Sequence, residues 1–228
     1  MRKVALFACA ALIAGSASAQ LFDSGPGLGI GIPDDVYDGT LPSMASGTVL
    51  VFGVGPILTD VNIIIGMEHT WIGDLTVKVT NPGGGTLVTL LMRPGLIGVP
   101  DDGSSCCGDS SNMGFAFPLT YDDEAASGKL AEAMGGTIGG ADLVGDPANT
   151  SVDNFIPDAG DLPNLDTLSA FDGGDPNGTW TIYVGDSAGL DTGTIDYLGV
   201  VVTAVPEPVS MLTLGVGLGF LALRRRRK

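Results

Sequence analysis

Six runs rich in Val, Ile, Leu and Thr, separated by turn signals of Gly, Pro, Asn and Asp, constrain this chain more than any other feature. They are GTVLVFGV (47–54), ILTDVNIIIGMEH (57–69), DLTVKVTN (74–81), TLVTLL (86–91), TWTIYVGD (179–186) and GTIDYLGVVVTA (193–204). Within them Leu75, Val77 and Val79 alternate with Thr76, Lys78 and Thr80, the period of a half-buried strand. The intervening NPGGG (81–85) and DGGDPNG (172–178) are turn chemistry, because glycine takes positive φ at no steric cost. No long stretch repeats apolar residues at the helical period. YDDEAASGKLAEAMGG (121–136) predicts one short helix with Asp122 or Asp123 near its cap, and 137–164, rich in Gly, Asp and Pro, predicts a long loop. There is no internal repeat. Short strands joined by Gly/Pro turns predict an all-β fold, a β-sandwich or jelly roll.

The two ends read differently from the middle. Residues 1–19 open on MRK, continue through the apolar Val4–Ala14 and close on Ala17-Ser18-Ala19, the layout of a secretory signal peptide cleaved before Gln20. Residues 20–31, QLFDSGPGLGIG, read as a flexible leader to a domain at 32–204. Residues 205–228 hold VPEP, a 15-residue apolar run (Val209–Leu223) and the basic run Arg224–Lys228. As a helix that run reaches roughly 22 Å at about 1.5 Å per residue, short of a bilayer core of roughly 30 Å but able to cross one with snorkelling flanks. The basic run would stay cytoplasmic and leave the body outside. The expectation is a short C-terminal transmembrane helix that inserts transiently.

Without its ends the chain carries three basic side chains (Lys78, Arg93, Lys129) against 25 acidic ones, a net charge near −22. Such a surface repels nucleic-acid phosphates and anionic lipid. It suits Ca²⁺, which takes six to eight oxygen ligands. The aspartates concentrate in three loops: Asp101, Asp102 and Asp109 in PDDGSSCCGDSSN (100–112), Asp122 and Asp123 in YDDE (121–124), and Asp186 and Asp191 in GDSAGLDTG (185–193). These seven are the candidate calcium ligands, and turn capping without metal is the alternative.

A nucleophilic enzyme is disfavoured. A Ser-His-Asp triad needs a base, and His69 is the only histidine. It lies at the end of a strand run and reads as a satisfied core or edge residue. No Gly-x-Ser-x-Gly elbow occurs. Cys106 and Cys107 are adjacent, so they form a vicinal disulfide, stay free, or pair between chains; with one distant histidine they fall short of a zinc set. A glycosidase-type carboxylate pair cannot be singled out among so many acids. Trp180, in GTW, reads as core. Trp71, beside a turn, is the candidate exposed contact for a ligand.

Taken in order, IPDD (32–35), His69-Thr70, Gly73-Asp74-Leu75, Asn81-Pro82-Gly83, Gly178-Thr179-Trp180, Asp186 and Asp191 to Gly193 resemble the P domain (P/Homo B domain) that follows the catalytic domain of subtilisin-like proprotein convertases and occurs in many secreted bacterial proteins. The resemblance spans about 32–204. It implies a jelly-roll β-sandwich and, as in some P domains, calcium. The long, glycine-rich 125–164 departs from the family pattern. The tail resembles a PEP-CTERM sorting signal, with Pro206, Glu207 and Pro208 as its mark. That implies an exosortase-like membrane enzyme as partner and a Gram-negative-type bacterium that exports the protein to its envelope, outer surface or extracellular matrix. The expected function is a non-catalytic surface or matrix module binding polysaccharide or protein. The alternatives are an accessory domain for a separate subtilisin-like protease and a carbohydrate-binding module.

Overall fold

In the computed structural model, the structure describes residues 17–96, 100–104, 107–110, 112–114, 118–124, 143–144, 154–155 and 167–206. They form twelve strands: β1 Gln20–Asp23, β2 Ile30–Ile32, β3 Ala45–Val51, β4 Ile57–His69, β5 Leu75–Thr80, β6 Leu87–Met92, β7 Asn112–Met113, β8 Leu119–Tyr121, β9 Leu143–Val144, β10 Asn154–Phe155, β11 Gly178–Asp186 and β12 Gly193–Val205. The helices among the described residues are short 3₁₀ turns at Leu41–Ser43, Ile72–Asp74 and Leu168–Phe171.

The strands make two sheets. The smaller runs β3-β11-β5-β6, antiparallel throughout. The larger is built on the long antiparallel pair β4–β12, which runs from Gly193↔His69 to Val205↔Ile57. β1 and β2 lie end to end along the free side of β12, and β8 and β7 lie end to end along the free side of β4. β9 and β10 add parallel pairings to β7 and β8. Inward residues of both sheets share one core, including Val49, Val51, Val77, Val79, Trp180, Ile182 and Val184 from the smaller and Ile63, Ile65, Leu198, Val200 and Val202 from the larger. Alternate side chains of a strand point to opposite faces, so two such faces closed on each other form a β-sandwich.

The six apolar runs are strands, as the sequence predicts. Residues 20–31 correct the expectation of a flexible leader. Gln20–Asp23 pairs with Gly199–Val202 and Ile30–Ile32 with Gly193–Ile195. The cause is packing: Phe22, Leu28 and Ile30 pack against the core, and Phe22 meets Phe52 edge-on at 5.6 Å. The expected helix at 121–136 begins in strand, since Tyr121 ends β8, and its remainder from 125 lies outside the described residues. Within the expected loop 137–164 the described residues are two short strands, β9 and β10. No helix among the described residues is long and apolar enough to cross a membrane; the signal segment up to residue 16 and the tail beyond Pro206 lie outside them.

One departure positions the site. The alternation of β5 predicts one wet face, yet all six of its residues are buried. The connection after β6 folds back over the outer face of the small sheet. Arg93, at φ +45, donates its backbone N–H to Leu75 O at 2.7 Å, and its guanidinium donates to Pro100 O. The strap passes so closely that a Cβ on Gly73 would sit 2.3 Å from Asp109 N. Gly103, at φ +74, would place one 1.9 Å from Tyr37 O, so it is required twice, by space and by backbone.

Candidate functional site

Polar side chains collect at the end of the sandwich where β4 and β11 finish and β5 and β12 begin. His69 is the last residue of β4 and Asp186 the last of β11, and both side chains are fully buried. His69 Nε2 and Asp186 Oδ2 lie 3.1 Å apart. An ionised carboxylate only accepts, so Nε2 carries the proton of that bond. The other ring nitrogen faces the Trp71 backbone, 2.8 Å from its carbonyl oxygen and 3.1 Å from its nitrogen. Asp186 Oδ1 accepts from Ala188 N–H at 3.0 Å, and its carbonyl accepts from Tyr37 N–H at 3.0 Å. A pair 117 residues apart in sequence therefore ties the large sheet to the small one.

Asp74 ends the tight 3₁₀ turn that follows His69. Its carbonyl accepts from Ser187 N–H at 3.1 Å, and its Oδ1 accepts from Cys107 N–H at 2.8 Å, which fastens the strap. Burial pushes the Asp74 carboxyl up to about 6. The Cys107 N–H opposes this, the Asp186 and Asp191 charges add to it, and His69 opposes it. The sign follows by linkage: a carboxyl raised above its unfolded value stabilises the fold when protonated. That contribution is complete below about pH 4 and is lost as pH rises through about 6. The rise is worth roughly 3 kcal/mol unscreened, and solvent screening leaves about half of it. Asp74→Asn keeps an acceptor for Cys107. Urea unfolding of both proteins at pH 4 and pH 7 is expected to show the variant gaining about 1–2 kcal/mol on the parent across that interval. Identical pH slopes would exclude this role.

A second polar group lies beside it under the strap. Lys78, the lysine in the apolar alternation of β5, is buried and donates to Asp101 Oδ2 at 2.5 Å. Tyr37 donates its hydroxyl to Asp101 Oδ1, and the Lys78 ammonium lies 5.5 Å from the centre of the Tyr37 ring. Burial, and then the Asp101 carboxylate, holds the Tyr37 phenol well above its usual range.

The seven candidate calcium ligands fall in separate places. Asp101 is engaged by Lys78 and Tyr37. Asp102 accepts from Ser104 Oγ at 2.6 Å and Ser104 N–H at 2.9 Å, which lowers its carboxyl. Asp109 lies across the strap, its backbone joined to Pro94 and Gly73. Asp122 accepts from Glu124 N–H at 2.9 Å. Asp123 takes the first N–H groups of the 3₁₀ turn Leu168–Phe171, at 2.9 Å from Leu168 and 2.8 Å from Ser169, so it caps from a distance. Asp191 accepts from Thr70 Oγ1 at 2.8 Å, and it and Asp186 both act on Asp74. Among the described residues no three His, Cys, Asp or Glu side chains converge to hold a metal ion. An acidic patch not singled out in the sequence does form: Asp60, Glu124 and Asp172 have carboxyls raised by burial first and then by acidic neighbours that include Asp122 and Asp123.

The remaining candidates are quickly placed. Trp71 is half-buried, and its indole N–H is enclosed with no acceptor among the described residues. Trp180 is core: fully buried, edge-on to Phe171 at 5.0 Å, with Nε1–H donating to Pro176 O at 2.9 Å. Cys107, at φ +70, is disulfide-bonded. Cys106, Glu207 and Pro208 lie outside the described residues, and Pro206 follows directly on β12. Asp74, Tyr37, Lys78 and Arg93 were not among the candidates, although a lysine inside an apolar alternation is itself a signal for a buried partner.

No protein-family model matches the chain, and no curated protein matches it. Among solved structures it is similar to the serine protease of Aeromonas sobria (TM-score 0.40, 13% identity, over 82% of this chain and 26% of that one). It is also similar to that protease in complex with a chaperone (TM-score 0.39, 14% identity, over 83% of this chain and 27% of that one). The chain thus spans about a quarter of the length of the protease chains. Likeness at this level carries nothing about activity.

Proposed function

We propose that this chain is an exported, non-catalytic module built as a P-domain-like jelly roll, held at the envelope by its tail and released or transferred by an exosortase-like enzyme. It would act at the cell surface or in the extracellular matrix by binding polysaccharide or protein. One observation carries the reading. The residues that resemble the P domain, scattered from His69 to Gly193, meet one another in the fold and serve to hold it. His69 pairs with Asp186, Asp74 fastens the strap and the β11–β12 turn, Thr70 pairs with Asp191, and Pro82 packs against Gly178. A general base must reach a substrate proton; a ring sealed in the core with both nitrogens engaged is a fastener. The inward indole of Trp71 likewise favours a structural role over a sugar platform.

Calcium enters this reading only as a counter-ion of the acidic surface as a whole, with no ligand set assigned to it. Intact-mass measurement of the protein recovered from its native cells, denatured and then under native conditions in calcium buffer, tests the whole reading. The expected masses start at Gln20, end near the VPEP mark, and gain calcium that a chelator removes. A mass that retains residues 209–228 in every fraction would sink the sorting reading. A mass unchanged by calcium and by chelator would remove the counter-ion.

A further inference from the structure

Both ends of the domain leave the sandwich at the same place. β1 starts at Gln20 opposite Val202, and β12 ends at Val205 opposite Ile57, so the two exits lie on neighbouring strands at one end of the larger sheet. The smaller sheet contributes to the same end through the close of β3, the start of β11 and the start of β6. Contacts across the sheets confirm the shared end: Asn177, before β11, bonds Val54, before β4, and a Cβ on Gly55 would strike the Val205 carbonyl.

Exposed apolar side chains gather there. Of the eight large ones exposed among the described residues, Leu50, Phe52, Ile57, Leu87 and Val205 ring this end. Of the other three, Leu21 lies on the outer face of the larger sheet beside Gly199, and Val36 and Leu190 sit at the far end near Asp186 and Asp191. A monomer in water seldom concentrates such residues without a partner. The chain itself indicates the partner: three residues, Pro206 to Pro208, separate Val205 from the apolar run Val209–Leu223. At roughly 3.3 Å per extended residue they reach about 10 Å, so a bilayer holding that run lies directly under the ring.

We propose that this end of the sandwich is a membrane-contact surface, seated on a zwitterionic lipid interface while the tail is inserted, with Phe52 and its neighbours in the headgroup–acyl boundary. The inference rests on the membrane reading of the tail. Asp60 (opposite Thr203), Asp172 (next to Gly173, which bonds Leu58) and Asp175 (bonded to Asn177) border the ring, so anionic lipid is disfavoured and zwitterionic lipid fits.

The test uses the full chain reconstituted with phosphatidylcholine vesicles carrying bromine on their acyl chains. Phe52→Trp and, separately, Leu87→Trp report from the ring, and Leu190→Trp reports from the far end. The added emission of each is read against the unsubstituted chain. Side chains some 5–10 Å into the boundary are expected to be quenched about twofold, with Leu190→Trp unquenched. Co-flotation with vesicles but no quenching at either ring position would overturn the contact surface and leave the membrane reading of the tail standing. Failure to co-float would overturn that reading, and the contact surface with it.

Discussion

Trp180→Ala is expected to destabilise the domain by about 3–5 kcal/mol, the range for removing a fully enclosed indole that the surroundings cannot refill. Trp180 sits on β11, the strand between β3 and β5, so its loss opens the centre of the smaller sheet. It also strips Phe171 of its edge-on partner and leaves Pro176 O without its donor. Trp180→Phe keeps the ring contact and loses the hydrogen bond, so about 1–2 kcal/mol is expected for that change. Urea unfolding followed by circular dichroism reads both. A loss below about 1 kcal/mol for the alanine variant would mean that Trp180 is not enclosed as described.

Asp186→Ala is expected to cost about 3 kcal/mol or more, because it leaves the buried His69 ring facing a gap and orphans Ala188 N–H. The informative comparison is with His69→Ala and with the double substitution. The two groups act as one fastener, so removing the second after the first is expected to cost far less than removing it alone, giving a coupling of about 1–3 kcal/mol in a double-mutant cycle. Strict additivity would separate the two residues. Protease accessibility of the strap, read as cleavage between Arg93 and Asp109, is expected to rise in both single variants, since Asp74, which Asp186 and His69 flank, holds Cys107.

What the sequence made legible, and what it did not, follows from range. β4 and β12 are thirteen residues each and rich in Val, Ile and Leu between turn residues, enough for local composition to declare a strand and nearly its ends, although neither alternates throughout. β1 and β2 were hidden because four and three residues set among glycines look like a turn, and only the open side of β12 makes them strands. The alternation of β5 declares a strand and implies one wet face, which is dry because Asp101 and the Tyr37 ring, distant in sequence, cover Lys78. The aspartates looked alike in sequence. Their roles, as caps, ion-pair partners or members of a patch, depend on partners such as Lys78 and Leu168 that lie 23 and 45 residues away. His69 was legible as structural, and Asp186 was assigned to metal; the bond between them lay beyond any local pattern.

The position of β12 also sets an order of events. A chain made N-terminus first presents β1, β2 and β4 early, and the strand that all three require as neighbour is the last of the twelve. Until residues 193–205 emerge, the larger sheet has no middle, and β1 and β2 have nothing to pair with. Contacts this distant in sequence make closure slow, since the loop entropy must be overcome before any pairing is gained. The nascent chain therefore stays open until almost its whole length is available, and the domain commits to its native topology in a single late step. A chain released from the ribosome but truncated before Gly193 should be degraded as readily as an unfolded one, and a released chain ending after Val205 should resist.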